Sequence, residues 1–205
     1  MRIFILGATG HTGTQLVELA LARGHSVTAF VRSPHKIDGH HARLSVVKGD
    51  PLDVEQLTAA LSGHDAVVSA LGVRPPRAFR PHTLVQDGAA TTVAAMTRAG
   101  VDRLVLVSAA VLFPGKGFVF GFFRWVLTQI ARDLSAAEDI VRATSLAWTI
   151  ARPPRLVGDR AETYVSARDE LPCGGRAISF RGVAAFMLDA VEQRTHIRET
   201  VGLSR

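Results

Sequence analysis

Gly7-Ala8-Thr9-Gly10-His11-Thr12-Gly13 sets three glycines at regular spacing directly after the apolar run Ile3-Phe4-Ile5-Leu6. Glycine at the first position permits a sharp turn, and at the second it brings bare backbone against a ligand. At the third it lets the following helix pack close to the preceding strand. Amides at the start of such a helix point toward anions. The motif therefore predicts a diphosphate cradle made from backbone around Gly7, Gly10 and Gly13. His11 lies within the turn, and the hydroxyls of Thr9 and Thr12 add donors.

A cradle of this kind works only at a strand-to-helix junction, and the flanking sequence supplies one. Residues 2–6 form a short apolar run, and Leu16, Val17, Leu19, Ala20 and Leu21 follow in a helical pattern that lasts until Gly24. Further strands are expected at 26–31, 44–48, 66–70, 103–108 and 148–152, with helices at 54–61, 83–99, 125–144 and 182–191. Residues 199–202 read as an edge strand. The alternation predicts an α/β fold, a Rossmann-like doubly wound parallel sheet in a single domain. Ligands of such sheets bind outside the carboxyl ends of the strands, which nominates the loops after Leu6, Val31, Lys48, Ala70, Ser108 and Arg152. Pro153-Pro154 ends the sixth strand, because proline donates no ladder hydrogen bond, and a loop is expected to follow. Residues 153–205 are expected to form a small substrate-side portion of the same domain.

With 205 residues, 47% of them hydrophobic and 20% charged, the chain suits one folded domain and is not globally disordered. Cys173 is the only cysteine, and no Cys/His cluster has zinc spacing, so neither an internal disulfide nor a metal centre is expected. A reducing cytoplasm fits this usage. Too few apolar residues precede Gly7 for an export signal, and the apolar region 105–130 is broken by Pro114, Gly115, Lys116, Gly117 and Arg124. No membrane span is expected. The net charge of +6 is spread without a dense run, which suits a small anionic ligand and gives no reason to expect nucleic acid.

In a dinucleotide-binding sheet, an acid at the end of the second strand takes the ribose hydroxyls and selects NAD. Here the sequence runs Ala29-Phe30-Val31-Arg32-Ser33-Pro34, with no acid and with Arg32 where a guanidinium can fork onto a 2′-phosphate. NADP(H) is therefore expected over NAD(H). The alternative is that Arg32 is a solvated surface residue.

Further segments follow the other strands: Gly49-Asp50, Ala70-Leu71-Gly72, Val107-Ser108-Ala109 and, beyond the double proline, Gly158-Asp159. With the glycine turn they make the chain resemble the atypical short-chain dehydrogenase/reductases with NAD(P)H-binding, NmrA-like domains. Within that group it is similar, over nearly its whole length, to the biliverdin-IXβ reductase and flavin reductase proteins and their bacterial relatives. The resemblance implies that Asp50 and Leu52 line the adenine site, that Ala70, Leu71 and Gly72 pass beneath the adenosine, and that Ser108 lies beside the nicotinamide. Asp50 also reads as a turn or helix cap before Pro51, and Ser108 as a hydroxyl satisfying backbone at a strand end.

Ordinary short-chain dehydrogenases use a Tyr-x-x-x-Lys pair after the fifth strand for proton transfer. The one tyrosine here, Tyr164, lies beyond the sixth strand with Arg168 at the lysine spacing, and it reads as pocket lining or packing. The missing pair favours an NADPH-dependent reductase that passes hydride to a flavin-like or other conjugated small-molecule acceptor, protonated largely by solvent. It suits equally a non-catalytic NADP(H)-sensing regulator of the NmrA-like type. Arg155 stands where the biliverdin-IXβ reductase relatives often carry histidine. A guanidinium cannot act as an acid at neutral pH, but it can bind a phosphate or propionate on the acceptor, unless it simply faces water. Ser108 and Arg155 are thus the residues expected at the reaction, and neither His11 nor His82 is given a catalytic role. Phe118, Phe120, Phe122, Phe123 and Trp125 crowd into eight positions. They read as a lid over a planar acceptor, a subunit contact in a homodimer, a membrane-touching surface or simple helix packing.

Overall fold

Alternate residues of the first strand, β1 (Arg2–Leu6), point to opposite faces of a sheet, and all four after Arg2 are fully buried. Ile3 and Ile5 pack into one apolar layer, Phe4 and Leu6 into the other. A strand buried on both faces needs cover on both. In the computed structural model, which describes residues 1–37, 39–73, 82–114 and 128–205, five helices supply it. The layer of Ile3 and Ile5 is closed by α1 (His11–Ala22) and α5 (Phe180–Glu192). The layer of Phe4 and Leu6 is closed by α2 (Val54–Leu61), α3 (Leu84–Ala99) and α4 (Thr128–Arg142).

Six further parallel strands are β2 (Ser26–Val31), β3 (Leu44–Lys48), β4 (Ala66–Ser69), β5 (Arg103–Val107), β6 (Ala147–Arg152) and β10 (Glu199–Ser204). With β1 and the antiparallel edge strand β8 (Val165–Arg168) they form one eight-stranded sheet in the order β3-β2-β1-β4-β5-β6-β10-β8. A separate parallel pair is made by β7 (Arg155–Val157) and β9 (Ala177–Ser179). The core of this order is the doubly wound Rossmann arrangement, whose strand order reverses between β1 and β4. The loops after Leu6 and Ser69 therefore diverge and leave a crevice between them.

Two expectations need correction. Residues 199–202 do not make an edge strand: β10 runs to Ser204 and lies inside the sheet, because β8 pairs on its outer side. Pro153-Pro154 does end β6, but β7 begins at Arg155 without an intervening loop. The short strands β7, β8 and β9 carry little pattern of their own, and each exists only because a partner strand offers it a ladder. The last helix starts at Phe180 because the Ser179 hydroxyl accepts from the Gly182 amide at 2.7 Å. The aromatic run from Phe118 to Trp125 lies outside the described residues.

At the amino end of the sheet, away from the crevice, Arg103 is buried and its guanidinium donates to the carbonyls of Ala147 at 2.6 Å, Ala190 at 2.7 Å and Thr195 at 3.0 Å. The loop it braces holds Arg194, His196 and Arg198 at φ of 49°, 55° and 57°, the left-handed region that side chains disfavour.

Candidate functional site

The first loop turns at Gly7, whose φ is +76° and whose notional Cβ would fall 2.4 Å from the Ala70 carbonyl oxygen. The Gly10 amide donates to the Gly7 carbonyl at 2.9 Å and closes the turn. Gly13 packs so tightly beneath it that a Cβ there would sit 2.1 Å from the Gly7 oxygen. Only glycine fits at either place. Gly10 is the N-cap of α1, and no side-chain hydrogen bond caps that end. The first-turn amides and the positive end of the helix dipole thus open onto the crevice. Across from them, a Cβ on Gly72 would meet no atom of the described residues within 4 Å. Bare backbone on one wall and uncapped amides on the other fit a diphosphate.

The crevice has two halves that share Gly10 and residues 70–73. One, of about 390 Å³, has Phe30, Val31 and Pro51 on its apolar side and Arg32 and Lys36 as its cations, with Thr9 near the turn. The other, of about 570 Å³, lies over the ends of β5 and β7, walled by Val107, Ile130, Leu134, Leu156 and Phe180. Exposed His11 lies on that side with its ring centroid 5.0 Å from that of Phe180, and Thr12 is buried beside it.

Most residues singled out from sequence thus meet along one groove: Gly7, Thr9, Gly10, His11, Thr12, Arg32, Ala70, Leu71, Gly72 and Ser108. Gly13 supports it from behind. Asp50 and Leu52 do not line it; both are exposed, and the Asp50 carboxylate accepts from the Leu52 amide at 3.0 Å while Pro51 between them faces the cavity. That is the turn-capping role. Arg155 is also exposed, and its neighbours Pro154 and Leu156 are the ones that reach the cavity. Tyr164 is neither lining nor near the reaction end. Its ring packs edge-on against Phe186, and its hydroxyl donates to Asp189 at 2.6 Å. Burial, then that hydrogen bond, pushes its pKa up.

Two acids on α4 escaped the sequence reading. Glu138 is completely buried. Its Oε1 accepts from the Ser108 hydroxyl at 2.5 Å and from Arg152 Nε at 2.9 Å. Its Oε2 takes Arg152 Nη2 at 2.6 Å and pairs with Arg142 Nη2 at 2.7 Å. Arg152 in turn lies over the Phe113 ring at 4.7 Å, and Arg142 donates to the Thr200 hydroxyl at 2.9 Å. Asp133, likewise buried, accepts from the amides of Val85 and Gln86 at 3.1 and 2.8 Å, and so caps α3 from another helix. His82 Nδ1 stands 2.8 Å from the same carboxylate, without the alignment of a hydrogen bond, and both residues line the larger cavity. The available signal was periodicity: Leu134, Ala137, Glu138 and Val141 occupy one helical stripe, and an acid inside an apolar stripe is buried with partners.

A family profile described as NAD(P)H-binding matches residues 7–194. A Bacillus subtilis protein named as an uncharacterized sugar epimerase, YhfK, is 28% identical over 201 residues, covering 95% of this chain and 89% of its own. The oxidoreductase stcQ of Emericella nidulans is 33% identical over 224 residues, covering 95% of this chain and 79% of its own. Among solved structures, a provisionally assigned NADH-flavin reductase from Streptococcus pneumoniae superposes with a TM-score of 0.78 at 24% identity, covering 100% of this chain and 99% of the other. Among the described residues, no helix is long and apolar enough to cross a membrane, and no cluster of His, Cys, Asp and Glu is suited to a metal ion.

Proposed function

Since the chain belongs to the NAD(P)H-binding family, we propose that it is an NADPH-dependent reductase acting on a flavin-like or other conjugated small-molecule acceptor. One observation carries this reading: a single groove runs from a cavity with two cations at one end to a larger apolar cavity at the other, across the switch point of the sheet. Arg32 forks onto the 2′-phosphate and Lys36 adds a point charge, which selects NADPH over NADH. The uncapped amides of α1 and the Thr9 hydroxyl hold the diphosphate. Phe30, Val31 and Pro51 close on the adenine, with Asp50 and Leu52 fixing the turn that carries Pro51. Residues 70–72 run beneath the adenosine. When bound, NADPH supplies the hydride.

The walls of the larger cavity, with residues from the 153–205 portion on one side, exclude water and give an apolar bed to a planar acceptor. Arg155, at the exposed end of β7, meets an anionic group on that acceptor from outside. With Tyr164 tied to Asp189 and no Tyr-x-x-x-Lys pair, the proton comes from solvent. We place the protein in the cytoplasm, where the exposed thiol of Cys173 stays reduced.

A second reading, a non-catalytic NADP(H) sensor, draws on the Ser108 hydroxyl, whose proton is spent on Glu138 and is not offered to the groove. NADPH oxidation with a panel of FMN, FAD, riboflavin, biliverdin isomers and quinones, beside calorimetry with NADPH and NADH, separates the two. Saturable turnover establishes the reductase and names its acceptor class. Tight NADPH binding without turnover establishes the sensor, and no binding of either dinucleotide overturns both.

A further inference from the structure

A carboxylate can only accept hydrogen bonds, and it has about four lone-pair sites. In Glu138 three are taken by hydrogen bonds, two from Arg152 and one from the Ser108 hydroxyl, and Arg142 pairs with Oε2 as an ion. The proton of Ser108 must therefore point inward, toward α4. Its backbone amide is likewise committed, donating to the Ala151 carbonyl at 2.7 Å. What Ser108 offers the larger cavity is the outward side of its oxygen, a pair of acceptor sites.

From this geometry, and resting on the dinucleotide reading above, we infer that Glu138 is a positioning residue that fixes Ser108 as an obligate hydrogen-bond acceptor. Ser108 then recognises an N–H donor at the nicotinamide end, the carboxamide, and gives no proton to the substrate. A serine free to rotate would serve a donor or an acceptor equally. The buried Glu138 removes that freedom, and the two arginines keep the carboxylate from turning to any other partner. The arrangement sets which ring substituent the groove accepts.

The discriminating probe is nicotinic acid adenine dinucleotide phosphate, which has a carboxylate in place of the carboxamide and so no N–H to offer. Dissociation constants are measured by calorimetry for NADP⁺, for this analogue and for 2′,5′-ADP, which reports the adenosine half alone. The wild-type protein is expected to prefer NADP⁺ over the analogue by about tenfold or more, the equivalent of one hydrogen bond to a buried site. In Glu138→Gln the side-chain amide can donate to Ser108, which frees the hydroxyl to rotate. The preference should then shrink to about threefold or less while 2′,5′-ADP binding stays the same. Ser108→Ala should lose the preference too, and it decides the matter if Glu138→Gln does not fold. In the double variant, Glu138→Gln should add nothing to Ser108→Ala, because the acid acts through the serine. Equal wild-type affinity for the two dinucleotides, or a preference that survives either single variant, overturns the inference and leaves the cofactor reading intact. A wild-type protein that binds neither NADP⁺ nor 2′,5′-ADP overturns both.

Discussion

Replacing Arg32 by alanine isolates the selection of NADPH. The side chain borders the smaller cavity together with Lys36, and both are exposed. A charge-assisted hydrogen bond is worth about 1.5–3 kcal/mol. At about 1.4 kcal/mol per decade, its loss corresponds to roughly tenfold to over a hundredfold weaker NADPH binding. Exposure and the surviving Lys36 hold the effect nearer tenfold. NADH lacks the 2′-phosphate, so its dissociation constant should not change, and Arg32→Ala with Lys36→Ala should bring the two affinities nearly together. Calorimetry is best run at low salt, since the screening length falls to about 10 Å at 0.1 M and added salt should erode the preference in the wild type. An unchanged NADPH dissociation constant in Arg32→Ala, or equal weakening of NADPH and NADH, would refute the assignment.

Gly72→Ala should leave stability within about 0.5 kcal/mol, because its Cβ meets no atom of the described residues, yet weaken NADPH binding by about 1 kcal/mol or more by intruding on the groove. Gly13→Ala should do the reverse in kind: the clash with the Gly7 carbonyl costs about 1–3 kcal/mol of stability, visible as a lower melting temperature before any ligand is added. Arg194→Gly should stabilise the protein by about 1 kcal/mol, since it relieves a left-handed residue just past the end of α5 and gives up only a long, exposed contact to Asp102. A melting temperature that fails to rise would show the loop to be unstrained. Tyr164, whose folded-state pKa is raised, contributes stability that is fully present below the unfolded-state value of 10.0 and is lost as pH climbs above it. Denaturant unfolding between neutral pH and pH values above 10 should show this extra fall in the wild type and not in Tyr164→Phe; parallel curves would exclude the effect.

The fold was legible wherever burial on both faces wrote itself into a run of apolar residues. Ser26–Val31 is read to its ends because His25 and Arg32 bracket it, whereas Leu44–Lys48 and Val54–Leu61, which are only partly covered, are read from the turn residues Gly49, Asp53 and Gly63 beside them. Val165–Arg168 gives no such cue: its residues are mostly exposed, and it is a strand only because the outer edge of β10 pairs with it. Without β8 in view, 199–202 could only look like an edge. The glycine turn was legible because its requirements are steric and local. Glu138 and Arg152 were not, since a charged residue reads as surface by type, and each is buried by virtue of the other across a distance of 14 residues in the chain. Asp50 carries two readings, an adenine-site residue by likeness and a turn cap by its place before Pro51; the turn-capping hydrogen bond is present, and Pro51 takes the wall.

The charge cluster around Glu138 also divides the larger cavity into walls with different freedom to change. Val107 and Ser108 on one wall belong to a strand end stitched through Glu138 to β6 and, by Arg142, to Thr200 of β10, so replacing Ser108 takes a hydrogen bond from a buried carboxylate and costs about 1–3 kcal/mol. Leu156 and Phe180 on the other wall make only apolar contacts to the cavity from a short side sheet and a helix start. Drift or laboratory evolution toward a new acceptor should therefore accumulate at Leu156 and Phe180, where a change of shape costs little, and leave the charged wall as ancestry set it.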